Sequence, residues 1–193
     1  MAKSKKEHLV ETALVLFHRD GFHATGIDKI LAEAKVAKMT LYKHFSSKDE
    51  LILAALKLRD EYFNEWLVTR VDEIVQEKYS ADDFGEVSAI FDTIGEWIRG
   101  DTFYGCMFIN AAAEFGELDS PIHQVASDHK IAVKNIVRGY LEKLPIDDPD
   151  DLAKQLVLLI DGLIVTSQTT GQKDVINTAK EAALSLVNLA INQ

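Results

Sequence analysis

The chain has 193 residues, 47% of them hydrophobic, with ten Gly, three Pro, a single Cys and a formal net charge of −10. That is enough apolar material to bury the core of one large or two small domains without staples, and the lone Cys106 excludes an intrachain disulfide framework and a two-cysteine zinc ribbon. The longest apolar run, Leu156 through Val165, is cut by Asp161, and His8 and Glu11 interrupt the N-terminal stretch, so neither a membrane span nor a secretory signal is expected and a cytoplasmic protein is.

Taken in order, the apolar residues recur at helical spacing from end to end, and no strand-like alternation interrupts them. A first helix is predicted from about Lys5 to Arg19, with Leu9, Val10, Ala13, Leu14 and Phe17 at helical spacing and Gly21 as its stop. A second follows from Ile27 to Ala34, with Thr25 as N-cap. After Lys35-Val36-Ala37 a third runs from about Lys38 to His44. Ser47-Lys48-Asp49-Glu50 reads as a capping box that opens a long fourth helix, through Leu51, Ala54, Ala55, Leu58, Tyr62 and Trp66 to about Gln76. A fifth is expected after Ser80, with Asp82 and Asp83 at the positive end of its dipole, and ends at Arg99. Cys106 to Phe115 makes a short, apolar sixth. Ser120-Pro121 and Asp148-Pro149 each set a cap residue before a proline at the first helical position, opening a seventh helix to about Leu144 and an eighth to Thr170, stopped by Gly171. A ninth covers about Asp174 to Ile191. The expected fold is all-α with about nine helices: a three-helix headpiece over residues 1–46 and a larger antiparallel helical body over 47–193.

The second and third helices, so closely joined, have the spacing of a helix-turn-helix. The third spends Leu41 and Phe45 on an inner face and turns Lys38, Met39, Thr40, Tyr42, Lys43 and His44 outward. Cations, hydroxyls and a ring suit phosphates and base edges better than they suit packing. Charge is divided accordingly: residues 1–48 hold nine Lys and Arg against five Asp and Glu, a net +4, while the remainder holds 12 against 26, a net −14. Such a split directs the N-terminal end toward a polyanion and holds the acidic body off it; two solvated faces would give the same count.

The segment GFHATGIDKILAEAKVAKMTLYKHFSSKDEL, and within it Thr40-Leu41-Tyr42-x-His44-Phe45-x-Ser47-Lys48-Asp49-Glu50-Leu51, resembles the N-terminal signature of TetR/AcrR-type transcriptional regulators over about residues 5–52. The body also resembles a subgroup carrying GC-[LMP]-x-x-N-x-A-x-E, here from Gly105-Cys106 through Asn110 and Ala112 to Glu114. The resemblance implies a homodimeric repressor whose two headpieces sit in successive major grooves of a near-palindromic double-stranded DNA operator. A small molecule in the body then changes their separation. It further implies that Thr25, Tyr42 and Lys48 contact phosphates and that Lys38, Met39, Thr40, Lys43 and His44 line the groove. Two positions depart from the family pattern. Lys35 stands where glycine is usual, a strain on the order of 1 kcal/mol if the residue is left-handed, and Ala37 stands where a serine or threonine caps the third helix, forfeiting roughly 1 kcal/mol.

In the body, Trp66, Phe91 and Phe103 read as core or as a ligand box. Asn110 and Asp161 interrupt apolar runs and need either a ligand or an interhelical hydrogen bond, because leaving them unpaired costs about 1–3 kcal/mol each. Cys106, at the start of the sixth helix, is either an inert buried thiol or an electrophile and redox sensor, which gives an alternative, redox-responsive repressor. These six form the candidate ligand set. Glu117, Asp119, His123 and His129 read as loop and helix-start residues rather than metal ligands, and no metal or cofactor is expected. No HExxH, Walker or dinucleotide-binding glycine pattern occurs and no nucleophile-base set is legible, so no enzyme is expected. The broad apolar faces of the last two helices suit the subunit's own core or a four-helix dimer interface; the family resemblance points to the latter.

Overall fold

A computed structural model describes residues 4–192; Lys3, counted above among the basic residues, lies outside that range. Among the described residues there are nine α-helices and no strand. Helix α1 (Lys5–Asp20) starts on a capping box in which the Ser4 hydroxyl accepts from the Glu7 N–H at 3.2 Å and the Glu7 carboxylate accepts from the Ser4 N–H at 2.8 Å. It ends at Gly21, whose φ of 87° suits a residue without Cβ. Helix α2 (Ile27–Ala34) is capped by Gly26, not by Thr25 as expected. Thr25 is fully buried and donates its hydroxyl to the Gly21 carbonyl at 2.7 Å, so it fastens the corner after α1 instead of opening α2. Lys35 closes α2 in the left-handed region, at φ 54° and ψ 42°. Helix α3 (Lys38–His44) starts at Ala37 without a side-chain cap and stops at the extended Phe45.

Helix α4 (Lys48–Lys78) is about 46 Å long at 1.5 Å per residue. Ser47 caps it by accepting from the Glu50 N–H at 3.2 Å, but the Glu50 carboxylate reaches one residue further back than a standard box, to the Ser46 N–H at 2.6 Å. Its buried residues are Leu51, Ile52, Ala55, Leu56, Phe63, Leu67, Val71 and Ile74. Of the expected stripe, Leu51 and Ala55 are buried, whereas Ala54, Leu58 and Trp66 are half-buried and Tyr62 is half exposed. Helix α5 (Gly85–Arg99) begins later than expected because Asp82 holds the Phe84 N–H at 2.9 Å in a turn, a local bond that competes with helix. Helices α6 (Met107–Glu114), α7 (Pro121–Leu141), α8 (Pro149–Thr170) and α9 (Val175–Ile191) follow the predicted order. Asp148 caps α8 by accepting from the Asp151 N–H at 3.0 Å, and Gly171, at φ 71°, ends it.

These helices pack as two units: residues to Tyr62 with Cys106–His129, and Phe63–Gly105 with the residues from Lys130 on. Packing therefore does not divide at residue 46; α6 and the first half of α7 belong with the N-terminal segment. The first unit buries Leu9, Phe17, Phe22, Ile30, Leu41 and Leu51, each contributing roughly 1.5–3 kcal/mol of transfer free energy. In the second, α8 packs along α9 and α5 lies against both. Leu152, Leu156, Ile160, Leu163 and Ile164 of α8 are buried there, so that face belongs to the subunit's own core. No helix is long and apolar enough to cross a membrane among the described residues.

Candidate nucleic-acid interface

The α2–α3 pair is fixed from below by Ile30, Leu31, Ala34 and Leu41, all buried, and by Phe45 at 5% exposure. The His8 ring adds a contact from its Nε2 to the Ala34 carbonyl, 3.1 Å away, tying α1 to the end of α2. With its apolar side chains so used, α3 presents the rest outward. Met39 is 86% exposed and Tyr42 49%; Lys38, Lys43 and His44 are exposed and Thr40 is half-buried. No acidic residue lies on α3, and Lys38 reaches Asp28 of α2 only at 3.9 Å, which leaves its ammonium largely solvated. A surface of this kind offers phosphate donors, base-edge donors and an apolar contact for a thymine methyl.

Two of the expected contacts look different in three dimensions. Thr25 is removed from the surface: its hydroxyl is spent inside the fold, so the phosphate contact implied for that side chain is not available. Lys48 is half-buried and donates its ammonium to the His23 carbonyl at 3.4 Å, so it also ties the start of α4 to the α1–α2 corner.

That corner is held by Glu114, the acid that ends the α6 motif and to which the sequence assigns no partner. The Glu114 carboxylate accepts from the Phe22 N–H at 2.9 Å, from the His23 N–H at 2.6 Å and from the His23 ring Nδ1 at 2.7 Å. The His23 ring in turn stacks on Phe115, centroids 4.8 Å apart. Burial works against the charge on Glu114, but the two backbone N–H groups and the His23 ring outweigh it and hold the carboxyl below its ordinary range. A signal was present: a carboxylate on the last residue of an apolar helix sits at the unfavourable end of the dipole and needs a donor from elsewhere.

The six candidate ligand residues fall in both packing units. In the second, Trp66 and Phe103 are half-buried members of an aromatic chain: Phe63 meets Trp66 and Trp97 at 5.5 Å, and Trp97 meets Phe103 edge-on at 5.1 Å. Phe91 has no accessible surface, so it lines no space that could admit a ligand and is core. Asp161 forms an ion pair with Lys130 at 2.5 Å, an interhelical partner that meets its need without a ligand. In the first unit Cys106 is 4% exposed at the N-cap of α6, and Asn110, one turn on, is half-buried. Burial pushes the pKa of half-buried Arg59 of α4 below its ordinary value. His129 is 3% exposed, pairs with Asp60 at 2.6 Å and stacks on Phe108 at 3.6 Å, while His123 turns its Nδ1 to the Phe115 carbonyl at 2.9 Å.

Comparison with known proteins agrees with this geometry. The family model described as bacterial regulatory proteins of the tetR family matches residues 9–55. A TetR-family transcriptional regulator from Streptomyces coelicolor superposes with a TM-score of 0.85 at 30% identity, over 97% of this chain and 91% of that one. The HTH-type transcriptional regulator YjdC of Escherichia coli is 23% identical over 96% of this chain and 95% of its own. A TetR-family regulator from Cytophaga hutchinsonii, 15% identical, shares the fold with a TM-score of 0.82, covering 98% of each chain. With a helix-turn-helix that turns its polar side outward and full-length similarity to such regulators, the chain belongs to the TetR family of DNA-binding transcriptional regulators.

Proposed function

We propose that the protein is a homodimeric, ligand-responsive repressor that holds a near-palindromic operator when empty and releases it when a small molecule binds the body. The observation that carries this reading is the outward face of α3, where Lys38, Met39, Tyr42, Lys43 and His44 are exposed around a buried Leu41. Tyr42 and Lys48 act on phosphates, and Lys38, Met39, Thr40, Lys43 and His44 lie along the groove. The partner is a second copy. Leu158 at 72% and Val165 at 42% exposure flank the exposed Gly162 on one stripe of α8, and Leu189 on α9 is 60% exposed. Large apolar side chains so exposed on two adjacent helices suit a four-helix interface. Trp66 and Phe103 within the second unit, and separately Cys106 and Asn110 within the first, remain as candidate effector contacts. The effector binds the DNA-incompetent state better by its coupling free energy, typically about 1–3 kcal/mol.

Fluorescence anisotropy on a duplex from the promoter of its own or a neighbouring gene tests the DNA face. Binding weakens steeply with salt, and Lys43→Ala lowers affinity and reduces the salt slope by about one. Unchanged affinity in both Lys43→Ala and Tyr42→Phe removes α3 from the interface. A second reading, release on oxidation or alkylation of Cys106, draws on the place of that thiol at the N-cap of α6. A Cys106→Ser protein that still releases DNA on treatment with a thiol-reactive electrophile ends that reading.

A further inference from the structure

We infer that Glu114, a residue of α6, is a positioning residue for DNA binding: its carboxylate clasps the α1–α2 corner and thereby sets the pose of α2 and α3. The contact is specific in a way that packing alone is not. One carboxylate takes three N–H donors, from the Phe22 and His23 backbones and the His23 ring, at 2.6 to 2.9 Å. Those donors belong to the few residues between α1 and α2, where the chain turns before the helix-turn-helix begins. The Phe22 and His23 N–H groups lie beyond the last turn of α1 and before the first turn of α2, so neither helix can use them.

The rest of the corner is built around the same carboxylate. Gly21 not only has a positive φ of 87°; a Cβ there would lie 3.1 Å from Glu114 Oε1, so a side chain at this position would crowd the acid. The His23 ring is held on its other side by the stack on Phe115, the residue that follows Glu114. Phe22 is fully buried between Phe17, at 5.4 Å, and Phe115, at 5.9 Å, so the corner cannot pivot about it. The Thr25 hydroxyl, bonded to the Gly21 carbonyl, closes the turn just before α2.

Three consequences follow. The α6 helix packs in the same unit as the headpiece, although Glu114 lies more than 90 positions from Phe22 and His23 in sequence. An event at the N-terminal end of α6, where Cys106 and Asn110 lie, reaches the DNA-binding helices through the eight-residue rod that ends in Glu114. The acid that ends the GC-[LMP]-x-x-N-x-A-x-E motif acquires a function: it is the end of that rod that touches the headpiece.

Glu114→Gln tests the clasp, because the amide keeps the shape and puts its own N–H group against donors. The probes are the tightest duplex that the wild type selects from a random-sequence pool and a scrambled duplex of the same length. Loss of pose removes base contacts but leaves phosphate attraction. Affinity for the selected duplex is therefore expected to fall at least about tenfold, the worth of one good base contact, while affinity for the scrambled duplex stays within about twofold. Hydrogen exchange at the Phe22 and His23 amides is expected to be slow in the wild type and faster in the variant. His23→Ala removes an exposed ring and only one of the three donors, so it folds in any case and is expected to lose selected-duplex affinity by a smaller factor of about two to five. Equal affinities of wild type and both variants for the selected duplex overturn the proposal, and so does a parallel loss on both duplexes. A wild type that selects no duplex at all refutes DNA binding itself, a different failure from the first.

Discussion

Replacing Lys35 by glycine should make the protein more stable and a poorer DNA binder at once. Lys35 is the one non-glycine residue among those described with positive φ, at 54°. An L residue there costs roughly 1–2 kcal/mol over glycine, because its Cβ crowds the following carbonyl. The turn itself uses only backbone bonds, Lys35 N–H to the Ala32 carbonyl at 3.4 Å and Val36 N–H to the Leu31 carbonyl at 3.2 Å, and glycine keeps both. Against this, glycine gives the unfolded chain more freedom, which takes back about 0.4–1 kcal/mol. The net gain is about 0.8 kcal/mol at the middle of these ranges, or roughly 2–3 °C in Tm for a chain of this size. The lysine is exposed beside the recognition helix, so its removal subtracts a cation from the DNA face. The salt slope of log affinity should fall by about 0.9 if it neutralises a phosphate. Thermal unfolding at fixed protein concentration, compared with Lys35→Ala, separates the two effects. Alanine loses the charge but keeps the Cβ, so it should bind as weakly as the glycine variant without being stabilised. A glycine variant no more stable than the alanine variant refutes the strain argument.

Ala37→Ser supplies the missing cap of α3. The backbone already has cap geometry, φ −71° and ψ 148°, so urea unfolding should show a gain of about 1 kcal/mol, and no gain would mean the hydroxyl faces elsewhere. In the second unit, Lys180 donates to Asp92 at 2.8 Å and to the Tyr79 hydroxyl at 2.7 Å, while Tyr79 donates to Asp92 at 2.7 Å. Burial alone would raise the Asp92 pKa, but Lys180 and Tyr79 outweigh it and hold it below the ordinary aspartate range. The pair therefore stabilises the fold at pH above the unfolded value of about 3.9, and that contribution disappears as pH falls through the lower folded value. Tm should drop more steeply as pH falls below about 4 in the wild type than in Asp92→Asn. At neutral pH, Lys180→Met should cost about 1 kcal/mol, a figure discounted for the partial exposure of both partners, and parallel acid profiles would remove the pair from the account. Leu158→Glu places a charge on the exposed α8 stripe and should raise the dimer Kd at least about a hundredfold, read as monomer mass by light scattering at micromolar concentration; an unchanged mass moves the interface elsewhere.

What the linear chain determined is what local chemistry can determine. Helix order, the stops at Gly21 and Gly171, the Asp148-Pro149 start and the α2–α3 spacing follow from periodicity and from caps that act within a turn of their own position. The left-handed Lys35 and the polar outer side of α3 belong to the same class, since each depends on residues three or four positions away.

Tertiary structure decided the rest. Thr25 has the chemistry of a helix cap and was assigned to a phosphate, but the end of α1 claimed its hydroxyl. The buried face of α4 keeps Leu51 and Ala55 of the stripe that its apolar residues suggest but runs on through Ile52, Leu56, Phe63 and Leu67 rather than Ala54, Leu58 and Tyr62, because the neighbours that cover a helix are not written in its own period. Asp161 found Lys130 on another helix, and Glu114 found its three donors more than 90 residues upstream. Such partners are chosen by burial, which makes an unpaired carboxylate too unfavourable to leave alone, and burial is a property of the packed chain.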